Sequence, residues 1–236
     1  MTTSFQNIRH VIGQIPVIGA IAKSVYRVVV PRAAKLQFAS SGQYWEDRYK
    51  HGGNSGAGSY GRLAEFKAAT INKFVEANNI KTIVEFGSGD GAQLELARYR
   101  SYTGVDVSAR AIELCRDRFK SDPSKRFILA SSSEADTVTA ELAMSLDVIY
   151  HLVEDSTYEH YMARLVAASE KYVCVYSSNA DRTSPDKHVR HRIFTNWMRE
   201  NAPAWELIST VKNPFPEDPT KPDGTSWADF YFFQKR

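Results

Sequence analysis

Short apolar runs and helical stripes of apolar residues follow one another along most of the chain. The apolar runs predict seven strands, over Lys81–Phe86, Tyr102–Asp106, Arg126–Ala130, Thr139–Leu146, Lys171–Tyr176, Trp205–Lys212 and Trp227–Gln234. Apolar residues at helical spacing predict helices over Gly61–Asn79, Ala109–Lys120, Tyr158–Ser169 and Ile193–Asn201, and Ala92–Tyr99 is compatible with another helix. Strands and helices therefore alternate from residue 61 onward.

Residues 1–42 have a different pattern and are predicted to form an arm. Val11–Ala22 is almost wholly apolar, and basic residues follow it at Lys23, Arg27, Arg32 and Lys35. The apolar run is shorter than the ~20 residues that a membrane span needs. One interpretation is a basic, apolar segment that lies in the membrane interface as a peripheral contact. The other is an arm packed on its own domain or on a second subunit of a homo-oligomer.

Residues 43–60 are rich in aromatic residues and glycine, and a segment this dense in glycine cannot build a core strand. The composition predicts a loop. Such a loop can fold over a ligand as a lid. The alternative is a flexible linker between the arm and a domain at residues 61–236.

The stretch Val84–Gly91, read V-E-F-G-S-G-D-G, holds three glycines at every second position behind a predicted strand. A glycine turn of this kind lets a ligand approach bare backbone. The spacing differs from the dinucleotide pattern G-x-G-x-x-G, and the Lys-Ser/Thr pair of a triphosphate-binding loop is missing. Asp106 follows at the end of the next predicted strand, where an acid accepts hydrogen bonds from a ribose diol. Together the two features predict a nucleoside site.

These residues resemble the class I S-adenosylmethionine-dependent methyltransferases. Glu85–Gly91 is similar to the first motif of that family and Gly104-Val105-Asp106 to the second, and the resemblance extends over most of residues 60–236. It implies an α/β fold: a doubly wound, Rossmann-like sheet of seven strands in the order 3-2-1-4-5-7-6, the last strand antiparallel. It also implies S-adenosyl-L-methionine as cofactor, with contacts from Glu85, Gly87, Ser88, Gly89, Gly91, Asp106 and Val107.

The resemblance implies further cofactor contacts outside these motifs. The loop after the third strand contacts the adenine in this family, which makes Glu134 a candidate; a solvated turn acid is the alternative. The segment before the first strand often covers the cofactor, and Tyr44, Trp45, Arg48 and Tyr60 are candidates there, with Arg48 for the methionine carboxylate.

Ser145–Leu152 resembles the fourth motif of the family, toward which the transferred methyl group points. For an alcohol acceptor a base must lie within hydrogen-bond reach. Asp147 and His151 are the candidate catalytic residues, four positions apart and so on one face of a helical segment. His151 has an ordinary pKa near 6.5; the alternative is a structural histidine bonded to a backbone carbonyl. Tyr150 is a candidate substrate contact.

His188 and His191 stand at i, i+3 in a basic stretch. Such a pair can contact a phosphate or carboxylate of a substrate, or it can belong to a solvated helix start. No third ligand is evident at a fixed spacing, so no metal site is predicted.

Composition narrows the function. A net charge of +3 is too small to predict nucleic-acid binding by the whole chain. The two cysteines, Cys115 and Cys174, are expected to be buried thiols, which suits a cytoplasmic protein. The Asn/Asp-Pro-Pro-Tyr/Phe pattern of many N-methylating members is missing, which argues against methylation of nucleic-acid amines.

These features favour an O-methyltransferase that acts on a small molecule or a saccharide. Residues 43–60 and 145–155 are also similar to methyltransferases encoded with cell-surface polysaccharide or glycolipid enzymes, and an interfacial arm would suit a lipid-linked sugar. The alternatives are a natural-product or amine N-methyltransferase and a cofactor-binding scaffold without turnover.

Overall fold

The computed structural model describes residues 38–236. The predictions made for the arm therefore lie almost wholly outside the described residues. Within the described part, no helix has both the length and the apolar character needed to cross a membrane. Residues Phe38–Arg236 form one compact unit.

Seven strands form a single sheet in the order β3-β2-β1-β4-β5-β7-β6, which confirms the expected order. The strands are β1 Thr82–Phe86, β2 Ser101–Asp106, β3 Lys125–Leu129, β4 Ala140–Leu146, β5 Ser169–Ser177, β6 Trp205–Val211 and β7 Asp229–Lys235. Strand β7 runs antiparallel to both of its neighbours, and the other neighbouring pairs are parallel. The order reverses between β1 and β4, which is where ligands bind in open sheets of this kind.

The helices of the described part are α1 Ser41–Lys50, α2 Gly61–Ala77, α3 Ala109–Arg118, α4 Ser133–Thr137, α5 Asp155–Ala167 and α6 Phe194–Asn201. Helices α2 and α3 pack on one face of the sheet through Ile71 and Ile112. Helices α5 and α6 pack on the other face through Met162 and Phe194. The sheet is thus covered on both sides, as a doubly wound fold requires.

Helix α1 corrects the prediction that residues 43–60 form a loop. The side chain of Ser40 caps this helix by accepting a hydrogen bond from the amide of Gln43. Tyr44 and Tyr49 are buried, so the helix has an inward face. The irregular stretch begins only with the glycines after Lys50, and it contains the short turn Ala57–Ser59.

The stretch Ala92–Tyr99 is also different from the prediction, because it holds only the 3-10 turn Gln93–Leu96. The side chain of Asn72 donates to the carbonyl of Leu96 and accepts from the amide of Arg98. Since these bonds use backbone groups that a longer helix would need, the contact with α2 ends the helical turn early.

Candidate functional site

A cavity of about 420 Å³ lies over the carboxyl ends of β1, β2 and β4. Its size is within the range of ligand pockets. Its wall includes the three strand ends and residues of helices α1 and α5. The principal wall residues are Trp45, Tyr49, Lys67, Glu85, Gly87, Ser88, Gly89, Asp106, Val107, Asp147, His151, Tyr161 and Arg164. The cavity therefore brings together most of the candidate residues of the sequence.

The glycine turn after β1 forms the floor of this cavity. Gly87 has a φ of 85°. A Cβ on Gly87 would lie 2.3 Å from the Cγ2 atom of Val148, so only glycine fits. Gly91 is not on the cavity wall; a Cβ there would lie 2.8 Å from the Cε2 atom of Phe119, and the glycine lets the end of α3 approach the turn. Gly91 therefore shapes the turn from outside the cavity wall.

Asp106, the last residue of β2, is buried beside the glycine turn. Its Oδ2 accepts a hydrogen bond of 2.8 Å from the amide of Gly89, and its Oδ1 accepts one of 2.9 Å from the amide of Ser108. Burial raises the pKa of this carboxyl to about 6. Each carboxylate oxygen has a second acceptor position, so Asp106 can also accept from a diol.

Glu85 is the second buried acid of the cavity wall. The hydroxyl of Tyr102 donates to its Oε2 at 2.7 Å. Burial raises the pKa of Glu85 to about 7. Glu85 is thus held rigidly below the turn, and it takes a proton close to neutral pH.

Asp90, inside the glycine motif, ties the loop after α1 to the turn. The hydroxyl of Ser55 donates to Asp90 Oδ1 at 2.7 Å, and the hydroxyl of Tyr60 donates to Oδ2 at 3.0 Å. Tyr60 is therefore an anchor of the loop and lies outside the cavity wall.

Two more predicted cofactor contacts lie away from the cavity. Arg48 donates from Nε to the carbonyl of Asn54 at 2.7 Å, and its guanidinium lies over the ring of Trp45. Glu134 is exposed and forms an ion pair with Arg126. Both side chains are bonded to near neighbours. Of the four candidates in the segment before the first strand, Trp45 is the one that belongs to the cavity wall.

Asp147 follows β4 in the left-handed region, with a φ of 59°. Its Oδ2 accepts a hydrogen bond of 2.7 Å from Lys67 Nζ, and its Oδ1 accepts one of 2.8 Å from the hydroxyl of Tyr150. Both carboxylate oxygens therefore already accept a hydrogen bond from a protein donor, one of which is charged. Tyr150 lies outside the cavity wall, and its hydroxyl holds the carboxylate of Asp147.

Sequence reasoning missed Lys67, although a signal was present. Lys67 falls at i+4 from Leu63 and i−4 from Ile71, within the apolar stripe of α2. A lysine in such a stripe is expected to have a buried partner. The partner, Asp147, lies 80 positions later in the chain.

His151 lies on the cavity wall in the 3-10 turn Ile149–His151. Its Nδ1 is 3.0 Å from the carbonyl oxygen of His188. Because a carbonyl oxygen only accepts, Nδ1 carries the proton, and Nε2 has the free lone pair. Burial lowers the pKa of His151 to about 4, so the ring is neutral at pH 7. The carbonyl bond that was the structural alternative for His151 thus leaves Nε2 available.

His188 and His191 do not reach the cavity wall. His191 is buried, with Nδ1 at 2.7 Å from the hydroxyl of Ser178. The ring of His188 stacks on Tyr44 and on His151. No helix holds this pair, since α6 begins at Phe194. In residues 38–236 no group of three or more His, Cys, Asp or Glu side chains is arranged to hold a metal ion.

Three polar atoms of the cavity residues are buried with neither a hydrogen-bond nor an ion-pair partner. They are Ser88 Oγ, Gln93 Oε1 and Arg164 Nε. Buried polar atoms normally have partners, so these three fit a polar ligand. With the acid Asp106 beside the glycine backbone of the turn, the cavity suits a nucleoside that carries further polar groups, as S-adenosylmethionine does.

No family model matches the chain, and no relative is found among curated proteins. Solved structures do match. The methyltransferase domain of bacterial CtHen1-C aligns with a TM-score of 0.56 and 18% identity, over 72% of this chain and 96% of that one. Magnesium protoporphyrin IX methyltransferase (ChlM) from Synechocystis PCC 6803 with bound S-adenosylmethionine aligns with a TM-score of 0.61 and 12% identity, over 86% and 99%.

The N-methyltransferase NodS from Bradyrhizobium japonicum WM9, in complex with S-adenosyl-L-homocysteine, aligns with a TM-score of 0.59 and 16% identity, over 83% of this chain and 98% of that one. These similarities and the strand order establish the fold: the chain has the class I S-adenosylmethionine-dependent methyltransferase fold.

Proposed function

We propose that the protein is an S-adenosylmethionine-dependent O-methyltransferase that acts on a hydroxyl of a small molecule or a saccharide. The observation that carries the proposal is the position of His151, a neutral histidine with a free Nε2, in the same cavity as the glycine turn and Asp106. A neutral imidazole can accept the proton of a hydroxyl at pH 7.

The cofactor side of the cavity consists of Asp106, the backbone of the glycine turn and the unpartnered Ser88 Oγ. Asp106 would hold the ribose diol, and the turn would lie along the amino-acid part. Bound S-adenosylmethionine would supply a methyl group on a sulfonium, which is a good leaving group.

The acceptor side requires positioning and removal of one proton. His151 Nε2 would accept the proton of the acceptor hydroxyl, and the bound cofactor would supply the methyl group. Lys67 neutralises Asp147, so the pair adds no net charge beside the methyl group. Trp45 and Tyr49 form the α1 side of the cavity wall and would limit access of water from that side.

The choice of a hydroxyl over an amine rests on this base and on the missing N-methylation pattern. An amine acceptor remains the second candidate, because NodS, a structure of the same fold, is an N-methyltransferase. A lipid-linked sugar acceptor would give the apolar and basic residues 1–37 a role at the membrane surface; flotation of the full chain with anionic liposomes, against a chain lacking them, tests that part.

The test begins with calorimetric titration of S-adenosylmethionine and S-adenosylhomocysteine. We expect the wild type to bind both, and Asp106→Ala to lose about 1–3 kcal/mol of binding free energy, because polar groups of the ligand lose their partner. Glu134→Ala is the matched control: this exposed acid lies outside the cavity, so its affinity should equal that of the wild type.

An acceptor screen with methyl-labelled cofactor then compares sugars and phenols with amines and nucleic acids. Transfer to hydroxyl acceptors is the expected result. Transfer only to amines or nucleic acid would refute the O-methyltransferase proposal, and a well-folded wild type that binds neither ligand would refute the cofactor assignment.

A further inference from the structure

Three aromatic rings form a parallel stack that ends at His151. The rings of Tyr44 and His188 lie 4.4 Å apart with an interplanar angle of 15°. The rings of His188 and His151 lie 5.4 Å apart with an angle of 10°. The ring of Trp45 meets that of His151 edge-on, at 4.9 Å and 75°. Two neighbouring residues of α1 are thus linked to His151: Trp45 contacts its ring directly, and Tyr44 does so through the ring of His188.

Helix α1 is fixed to the segment that follows His151. The hydroxyl of Ser41 donates to Glu154 Oε2 at 2.6 Å, and the amide of Ser41 donates to Oε1 at 3.0 Å. The amide of Val153 donates in turn to the Ser41 hydroxyl at 3.0 Å. Three hydrogen bonds therefore join the first turn of α1 to the residues just after His151.

The hydrogen bond from Nδ1 does not by itself fix the His151 ring. It sets the direction of one nitrogen but leaves the ring free to tilt about the line between Nδ1 and the His188 carbonyl oxygen. Contacts with the faces and edges of the ring remove this freedom. His188 supplies both the carbonyl and a stacked ring, and Tyr44 holds the other face of that ring.

We propose that Tyr44 and His188 are positioning residues, through which docking of α1 fixes the tautomer and the ring plane of His151. The inference rests on the proposed function in assigning His151 as the base. It adds that the base is complete only when α1 is in place, so that a helix of the cavity wall also prepares the proton acceptor.

Nitrogen NMR of the full chain, labelled with 15N in its histidine rings, tests the proposal without turnover. The chain has six histidines, and a His151→Gln variant assigns the signals of His151. We expect the wild type and Tyr44→Phe to show His151 neutral and protonated at Nδ1. Tyr44→Ala should show a mixture of the two neutral tautomers. Tyr44→Leu keeps apolar bulk without a ring, and it provides the same comparison if the alanine variant does not fold.

Tyr172→Ala is the matched control, because it removes a tyrosine ring that packs against Phe74 outside the cavity wall. A general loss of packing would affect this variant too, whereas a positioning role predicts an unchanged His151 tautomer. If Tyr44→Ala and Tyr44→Leu also leave the tautomer unchanged, the inference is wrong.

Kinetics give the second readout. With cofactor and acceptor saturating, we expect kcat of Tyr44→Ala to fall by about tenfold, a part of the ~100-fold that a general base contributes. Tyr44→Phe should retain kcat. The pH profile of kcat should also change. Besides burial, His188, Asp147 and Arg48 influence the pKa of His151, and a ring that is free to tilt changes its distance to these groups. If Tyr44→Ala weakens cofactor binding but leaves kcat unchanged, Tyr44 only holds α1 in place, which contradicts the inference.

The two proposals fail separately. A wild type that transfers no methyl group to any hydroxyl refutes the proposed function, whereas the tautomer comparison decides whether Tyr44 positions the ring.

Discussion

The buried ion pair between Lys67 and Asp147 makes a strong prediction about stability. The Lys67 side chain is 2% exposed, that of Asp147 is 19% exposed, and Nζ lies 2.7 Å from Oδ2. Two unit charges at 2.7 Å attract by about 6 kcal/mol at an effective dielectric constant of about 20. Desolvation of the ammonium group offsets much of this attraction, so the pair adds little net stability as a unit.

Removal of one partner has a larger effect than the net value of the pair. Lys67→Met leaves the Asp147 carboxylate without its cation. Such truncations cost about 3–5 kcal/mol when the pair is fully buried. Asp147 keeps the hydrogen bond from Tyr150 and some contact with water. We therefore expect a loss near the lower end, about 3 kcal/mol, in the free energy of unfolding.

Urea unfolding of Lys67→Met, Asp147→Asn and the double variant measures this effect. The double variant should be more stable than the sum of the single losses predicts, because it leaves no unpaired charge. Lys171→Met is the matched control: Lys171 Nζ is also 2.7 Å from its partner, Glu141, but its side chain is 58% exposed. We expect a much smaller loss there.

Equal losses for Lys67→Met and Lys171→Met would refute the reasoning, because burial would then have no effect at equal distance. Strict additivity in the double variant would refute it as well, since the two side chains would not be coupled.

Two further predictions follow from the glycine turn and the acid below it. Burial raises the pKa of Glu85 from 4.5 to about 7, so between these values the folded state binds more protons than the unfolded chain, and stability falls as pH rises. Glu85→Gln keeps an acceptor for Tyr102. It should therefore be more stable than the wild type by up to about 3 kcal/mol at pH 8 and equally stable near pH 4. Urea titrations measure this difference, and a difference that does not depend on pH would contradict the prediction. Gly87→Ala places a Cβ 2.3 Å from Val148 Cγ2 at a φ of 85°. We expect it to lower the free energy of unfolding by about 1–3 kcal/mol in thermal unfolding, and we expect an added Val148→Ala change to restore only part of this loss. Complete restoration would show that the backbone is not strained.

The glycine motif could be recognised from the sequence because its constraints are local. Gly87 needs a positive φ and the absence of a Cβ, and both conditions are set by residues near the turn. Asp106 could be recognised for a similar reason. The register places Val105 beside Phe86 on neighbouring parallel strands, so the ends of β1 and β2 meet by the rule of the fold.

The contacts of Arg48, Tyr60 and Glu134 could not be predicted in the same way. Arg48 and Tyr60 were placed by their position before the first strand, and Glu134 by its position after the third. Each of these polar side chains bonds to a nearer partner. Arg48 donates to the carbonyl of Asn54, Tyr60 donates to Asp90, and Glu134 pairs with Arg126. A sequence position limits which strand end a residue is near, but the choice among partners depends on distances of a few ångströms.

Apolar periodicity and glycine geometry act over a few residues, so short segments of sequence are enough to predict the alternation of strands and helices, the glycine turn and the acid after the second strand. Three further properties are visible only in the folded chain: Lys67 pairs with Asp147, His151 is neutral with Nε2 free, and α1 is a helix in the cavity wall. These properties depend on burial and on partners far apart in the chain, and neither is a property of any short segment.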